Sequence, residues 1–315
     1  MEELARRLRD DIEQLCDLGP RSLRVKSASG GNTLDAARHW LIERIGDAWR
    51  VAVQPFDTPY GEACNLELRH PSAPRDPAGK VLVVGAHYDT VTTTPGADDN
   101  GSAVACLLYM LGEICDLAER DRVRFVLYAN EEPPYFRTPH MGSLVHAGRC
   151  KKRRWKVEML CLESLGYYSD EPNSQIDPSR DVNGAVLAAA SKLLCVPRAP
   201  GGGLLGDVGD FLVLEADLPS AGLLRRLRAG YGRPAHPRVP AVRLVPVAVP
   251  QRYCSGLSDH WSYWHHGYPA VMATDTAVYR NPNYHKPSDT PDTLDYVRLA
   301  AVAARLTAAV RHAVE

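Results

Sequence analysis

Three consecutive segments of the chain read as strand, helix, strand, and they constrain its fold more than any other feature. Val81 to Ala86 is a continuous apolar run, Ser102 to Leu117 an apolar helix, and Val123 to Ala129 (VRFVLYA) a second apolar run. A strand buried on both faces loses the polar alternation of a half-exposed one, as in the parallel sheets of α/β proteins. Further strands are expected at Met159 to Leu162 and Ala270 to Ala273. From Asp292 onward a C-terminal helix sets Leu299, Val302, Leu306 and Val310 on one face. Strands alternating with helices imply a single α/β domain over 1–315, with a mixed, mostly parallel central sheet and helices on both faces.

The flanking regions are less regular. Leu4 to Leu18 has helical periodicity and stops at Gly19-Pro20. Asn32 or Thr33 caps a second helix through Ile45, with Leu34, Ala37, Trp40, Leu41 and Ile45 on one face. Val51 to Phe56 and Asn65 to Leu68 look like an antiparallel pair, and residues 71–79 a turn-rich loop. Residues 169–256 are rich in Pro, Gly and Arg, and GGGLLGDVGDFLVL and LLRRLRAGYGRPAHPRVP do not fit a βαβ rhythm. This span is expected to be a variable excursion over the active-site end of the sheet that lines the substrate pocket, its arginines forming a solvated face.

Composition narrows the function classes. A chain of 315 residues with 45% hydrophobic and 24% charged residues can bury a large core as a soluble protein. Its formal net charge of −1 argues against nucleic acid as the partner. No apolar run approaches the roughly 20 residues that span a bilayer, so no membrane partner is expected. The opening MEELARRLRDDIEQL lacks the apolar stretch of a secretory signal, which gives a cytoplasmic expectation. Eight scattered cysteines without a C-x-x-C pair exclude a disulfide scaffold or a cysteine metal site. Cys106, Cys115 and Cys161 lie in apolar segments and are expected to be buried thiols.

The chemistry gathers where the apolar strands stop. His87 and Asp89 follow the first strand at a spacing that points both side chains the same way. A histidine facing a cleft with a carboxylate beside it suits a metal ligand and its orienting partner. In PGADDNGS, one of Asp98 and Asp99 can serve as a helix N-cap, but two in succession exceed that need. Asn130-Glu131-Glu132 follows the next strand, at the carboxyl end where open α/β sheets place their sites. One glutamate there can bind a metal while the other handles a proton. The strand EMLCLE closes on Glu163, and NYHKPSDT puts His285 in a polar loop before the last helix. Carboxylates at the ends of apolar strands are costly without a nearby positive charge. Two histidines and several acids match the nitrogen and oxygen ligands of a carboxylate-bridged zinc pair.

At this point a resemblance becomes specific. The series GAHYDTV, PGADDNGSA, ANEEPPYF followed by HMGS, LESLGYYSD, GLSDHWSYW and YHKPSDTPD resembles the co-catalytic zinc exopeptidase family. That family includes bacterial secreted leucyl aminopeptidases, glutamate carboxypeptidase and, as a divergent branch, glutaminyl cyclase. The likeness runs from about Asn65 to the C-terminus, in family order, and is weakest from Asp177 to Tyr253. It implies a phosphorylase/hydrolase-like fold and two Zn2+ per chain. His87 binds the first zinc, with Asp89 holding its imidazole. Asp99 bridges both metals, often across a cis bond to Asn100. Glu132 and His285 bind the second zinc, and Glu131 is the general base. Glu163 completes the first metal's set, where many relatives carry Asp, and its extra methylene is a departure able to weaken that metal. Tyr284 is a candidate stabiliser of the tetrahedral oxyanion, with a packed loop tyrosine as the alternative.

The implied reaction is hydrolysis of a peptide or amide bond by a metal-activated water, with an aminopeptidase acting on a peptide or aminoacyl-amide substrate as the leading reading. A glutaminyl-cyclase-like aminoacyltransferase and a specialised amidohydrolase tailoring a small peptide product remain open beside it. Asp259 and His260 are expected to shape the pocket wall rather than bind metal. Ser258 with His260 lacks the G-x-S-x-G elbow of a serine hydrolase.

Overall fold

The structure, a computed structural model, describes residues 1–28, 30–177, 204–233, 236, 239–246 and 256–315. Among these, eight strands form one sheet: β1 (Arg50–Thr58), β2 (Gly61–Arg69), β3 (Lys80–His87), β4 (Val123–Tyr128), β5 (Lys156–Glu163), β6 (Phe211–Ala216), β7 (Ala241–Pro246) and β8 (Ala270–Thr274). Their spatial order is β1-β2-β4-β3-β5-β8-β6-β7. β4, β3, β5 and β8 run parallel, β2 adds antiparallel to β4 and β1 to β2, and β6 adds antiparallel to β8. The sheet is therefore mixed with a parallel centre, as expected.

The central strands are buried on both faces, which is why they read as unbroken apolar runs. In β3, Leu82, Val84 and Ala86 face one core, while Val81 and Val83 face the other. The first core is closed by α1 (Glu2–Asp17), α2 (Thr33–Ile45), α3 (Ala103–Glu113), α6 (Ala221–Tyr231) and α8 (Tyr296–Val314). The second is closed by α5 (Gly142–Lys152) and the short α7 (His260–His265). The helix expected over 102–117 breaks at Ile114, whose φ of −124° ends α3 two residues beyond Gly112, and α4 (Cys115–Glu119) restarts after it. Asn32 is the residue that caps α2, its side chain accepting the Asp35 N–H at 2.7 Å. Cys106 and Cys161 are buried as expected, but Cys115 at the start of α4 is only half-buried. No helix among the described residues is long and apolar enough to cross a membrane.

The span 169–256, where no βαβ rhythm is expected, follows one in part. Its described part contains β6, α6 and β7, a parallel βαβ unit that extends the sheet beyond β8. The remainder of that span, including Cys195 and Cys254, lies largely outside the described residues. Leu205, Val213, Glu215, Val245 and Leu257 nonetheless line a pocket that opens beside Glu163.

Chain order explains where the site falls. From β3 the chain passes through α3 to β4 on one side, then through α5 back across to β5 on the other. The carboxyl end of β3 is thus a topological switch point, where open α/β sheets leave a crevice. Gly85, two residues before that end, is required by a close approach: a Cβ there would stand 2.4 Å from Cε2 of Tyr128. The Tyr128 ring is fully buried and held by a 2.7 Å hydrogen bond to Tyr263 Oη. Gly85→Ala is therefore expected to destabilise the protein by about 1–3 kcal/mol through overpacking, read from urea unfolding. An unchanged midpoint would mean that the Tyr128 ring has room to move.

Candidate metal centre

His87, Glu131, Glu132 and Glu163 stand at or just beyond strand ends, while Asp99 comes from the turn that enters α3 and His285 from a loop before the last helix. His87 is the last residue of β3. The following loop is pinned by Arg21, a fully buried residue whose guanidinium donates to the carbonyls of Tyr88, Pro95 and Gly96 at 2.8, 2.6 and 3.0 Å. The loop leads into a single wide turn, Ala97–Ser102, that enters α3. There Asp289 accepts the N–H groups of Asp98 and Asp99, at 2.9 and 3.2 Å. The Asp99–Asn100 peptide bond is cis. Asn100 ties this turn to the end of β5, donating to the Leu162 carbonyl at 3.1 Å and accepting the Ser164 N–H at 2.9 Å. Beyond β4, the N–H groups of Glu131 and Glu132 donate to the two carboxylate oxygens of Asp89 at 3.0 and 3.1 Å.

These supports bring the side chains together in two groups that share one member. His87, Asp99 and Glu163 form the first, and Asp99, Glu132 and His285 the second. Asp99 Oδ1 lies 3.3 Å from His87 Nε2, while its Oδ2 lies 3.1 Å from His285 Nε2. Glu163 Oε2 is 3.2 Å from His87 Nε2, and Glu132 Oε2 is 3.2 Å from His285 Nε2. Glu131 stands beside the first group, its Oε2 3.9 Å from His87 Nε2. The Tyr284 ring stacks on His285 with centroids 3.8 Å apart and also borders the pocket beside Glu163.

The electrostatics are those of a site with too little positive charge. Burial, followed by the charges of Glu132 and Glu163, pushes Glu131 well above the usual carboxylate range, although His87 pulls the other way. Burial and the Asp99 charge raise Glu132 to about 8. Burial also opposes ionisation of Asp99, but the two histidines outweigh it and hold its pKa low. The histidines show the converse. Burial alone would lower them, yet Asp99 and Glu132 raise His285 to about 10, and Glu163 and Glu131 raise His87 well above its ordinary value. The same carboxylates that favour a proton on each imidazole would favour a metal cation there, since protons and metal ions compete for the same nitrogens.

The residues fit zinc. The donors are imidazole nitrogen and carboxylate oxygen, a set zinc accepts. Glu132 Oε1 and His285 Nε2 are buried without a hydrogen-bond partner, although His285 Nε2 has two carboxylates within 3.2 Å. Such atoms are aimed at a common point rather than at each other. His87 Nδ1 lies 3.2 Å from the Asp89 carbonyl oxygen. An N–H donated there leaves the Nε2 lone pair free to bind a metal, the usual arrangement of a metal-ligating imidazole.

The structure brings the sequence-predicted His87, Asp99, Glu132, Glu163 and His285 together and sets Glu131 near His87, and in two details the arrangement differs from the expectation. The nearest acceptor for His87 is the Asp89 carbonyl, since the Asp89 carboxylate stands 3.5 Å away and takes its shorter contacts from the Glu131–Glu132 backbone. Asp98 is neither ligand nor cap: its carboxylate accepts from Gly166 N–H and Asn281 Nδ2 at 2.9 and 2.8 Å. Asp259 and His260 stand outside both donor groups, and His260 Nε2 lies 3.3 Å from Glu215 instead. Ser258 Oγ meets Glu163 and Cys161 rather than an imidazole. Sequence reasoning missed Arg21, Asp289 and the Ser258–Glu163 contact, all of which join segments far apart in the chain.

Fold and site together define a class: open α/β sheets that gather imidazoles and a shared carboxylate at the carboxyl edge of their central strands. The sequence profile of peptidase family M28 matches residues 68–192 and 235–310. The protein YfbL of Escherichia coli (strain K12) is 36% identical over 302 residues, covering 93% of this chain and 84% of that one. The chain belongs to peptidase family M28. Solved structures share its fold. The LapA aminopeptidase of Legionella pneumophila superposes with a TM-score of 0.62 at 18% identity, over 100% of this chain and 75% of that one. BSAP, a zinc aminopeptidase from Bacillus subtilis, gives 0.52 at 19% identity, over 82% and 51%. The glutaminyl cyclase of Porphyromonas gingivalis gives 0.60 at 17% identity, over 98% and 97%.

The role of Asp89 as the brace of the Glu131–Glu132 segment is open to a direct test. Asp89→Ala orphans two buried N–H groups, at about 1–3 kcal/mol each. Urea unfolding in excess chelator should show a loss of that order, with Asp89→Asn falling between the wild type and Ala. Equal stability of all three would remove Asp89 from this role.

Proposed function

We propose that this chain is a zinc-dependent exopeptidase, an aminopeptidase acting on peptides or aminoacyl amides. The observation that carries this reading is the Asp99 carboxylate, which divides its two oxygens between two imidazole–carboxylate groups, with Glu131 near His87 of the first. His87, Asp99 and Glu163 would hold one zinc, and Asp99, Glu132 and His285 a second. When bound, zinc supplies a Lewis acid for the scissile carbonyl and lowers the pKa of water.

The chain's own residues then have distinct tasks. Glu131 takes the proton of the attacking water at its carboxylate and returns it to the leaving amine nitrogen. Burial raises the Glu131 pKa above the ordinary carboxylate range, which makes its carboxylate a stronger base toward the water proton. Asp89 keeps Glu131 and Glu132 in register through their backbone N–H groups. Tyr284, whose ring stacks on His285, would donate its hydroxyl toward the oxyanion. The pocket beside Glu163, walled by Val213, Val245, Leu257 and Met272, would receive an apolar substrate side chain.

Glu131→Gln should lower turnover of an aminoacyl amide by about 10^2–10^4-fold while elemental analysis still finds the wild-type zinc content. Retained turnover would remove Glu131 as the base. A second reading, cyclase-like aminoacyl transfer, is favoured by one observation: the cyclase fold matches nearly the whole of both chains. Incubation with a peptide carrying N-terminal Gln separates the two. Release of the first residue supports the peptidase, and ammonia without chain cleavage supports the cyclase.

A further inference from the structure

We propose that Ser258 and Ser164 clamp the carboxylate of Glu163 and thereby set the metal affinity of the His87–Asp99–Glu163 group separately from that of the His285 group. This rests on the metal-centre reading above and concerns what makes the two groups unequal. Both oxygens of Glu163 are held by serine hydroxyls. Ser258 Oγ donates to Oε2 at 2.6 Å, and Ser164 Oγ donates to Oε1 at 3.0 Å. The first distance falls in the range of a charge-assisted O–H···O⁻ bond, about twice as strong as a neutral one. Oε2 is also the oxygen that faces His87 Nε2.

The clamp is itself built into the fold. Ser258 is fully buried and sits on the turn that precedes α7. That turn is anchored at both sides of Gly256, whose N–H donates to Glu215 Oε1 at 2.9 Å and whose carbonyl accepts from Arg137 Nη2 at 2.8 Å. Ser164 is fixed through its N–H by Asn100 and through its carbonyl by the Asp275 N–H at 2.8 Å. Glutamate has one more rotatable bond than aspartate, and each unrestrained bond lowers the fraction of time a ligand points at its metal. Two hydroxyls on one carboxylate remove that freedom. The second group has no such device: Glu132 Oε1 is buried without any hydrogen-bond partner.

Ser258 is thus a positioning residue, and its test is metal binding rather than turnover. Metal-free full-length protein is titrated with Zn2+ alone against a chromophoric chelator. The wild type is expected to show two sites. In Ser258→Ala one site should keep its affinity and the other weaken by about 10–100-fold, the usual effect of losing a ligand's orienting partner. Ser258→Thr, which keeps the hydroxyl, should restore it. In a Glu163→Asp background the same Ser258→Ala change should cost much less, because coupled residues are not additive. Ser164→Ala, which removes the longer of the two bonds, should weaken the same site by a smaller factor and serves if Ser258→Ala does not fold. Two wild-type sites in Ser258→Ala, or equal weakening of both, overturns the clamp. Absence of zinc binding in the wild type would instead overturn the metal-centre reading, so the two failures are distinct.

Discussion

The arrangement depends on one carboxylate that cannot be satisfied by one partner. Asp99 is buried and has an imidazole nitrogen within 3.3 Å of each oxygen, and each imidazole has a second carboxylate beside it. Attractions across a low-dielectric interior are several times stronger than in water, and so are the penalties for unbalanced charge. Four ionised acids around two histidines would outnumber the positive charges even with both imidazoles protonated, so the cluster must hold further protons or take up cations.

A concentration of like charge of this kind can persist only if the surroundings hold it in place, and here the backbone does so. Asp89 receives two N–H groups from the Glu131–Glu132 segment, and Asp289 receives two from the Asp98–Asp99 segment. Arg21 takes three carbonyls of the loop between His87 and Asp98. Each brace uses a charged side chain to fix main chain rather than another side chain. The ligands are thereby positioned before any metal arrives, which lowers the reorganisation that binding requires. The topology supplies the remainder, since β3, β4 and β5 end together at the point where the chain reverses its order across the sheet.

What was legible in the sequence follows from where burial is two-sided. β3, β4, β5 and β8 could be read directly because both faces are apolar. α5 was missed because its buried face carries Ser143, His146 and Cys150, with His146 bonded to Tyr263 at 2.8 Å rather than packed as an apolar stripe. α6 was missed for a different reason. Its buried Leu223, Leu224, Leu227 and Tyr231 have helical spacing, but three arginines and two glycines between Ala221 and Tyr231 disguise it as loop. One of those glycines is a packing requirement: a Cβ at Gly230 would meet His312 Cβ at 2.6 Å and Ala309 Cα at 2.7 Å, both on α8. The site's ligands were legible because strand ends advertise acids. Its braces were not, because Arg21, Asp289 and Ser258 reach their partners across 67, 191 and 95 positions of chain.

Glu163, where the family resemblance implies aspartate in many relatives, is held in a way that suits a longer acid. A longer acid at a strand end reaches further into the crevice and gains rotational freedom, and both changes work against a fixed ligand. The fold answers from two directions, one hydroxyl from the next residue of the chain and one from the turn before α7. That turn is held by Glu215, which also borders the pocket. Pocket wall and first donor group are therefore linked through a single buried segment, Gly256 to His260, whereas the second donor group depends on Asp89 and the loop that carries His285. The two donor groups therefore meet only at Asp99, and each has its own supports for the rest of its members.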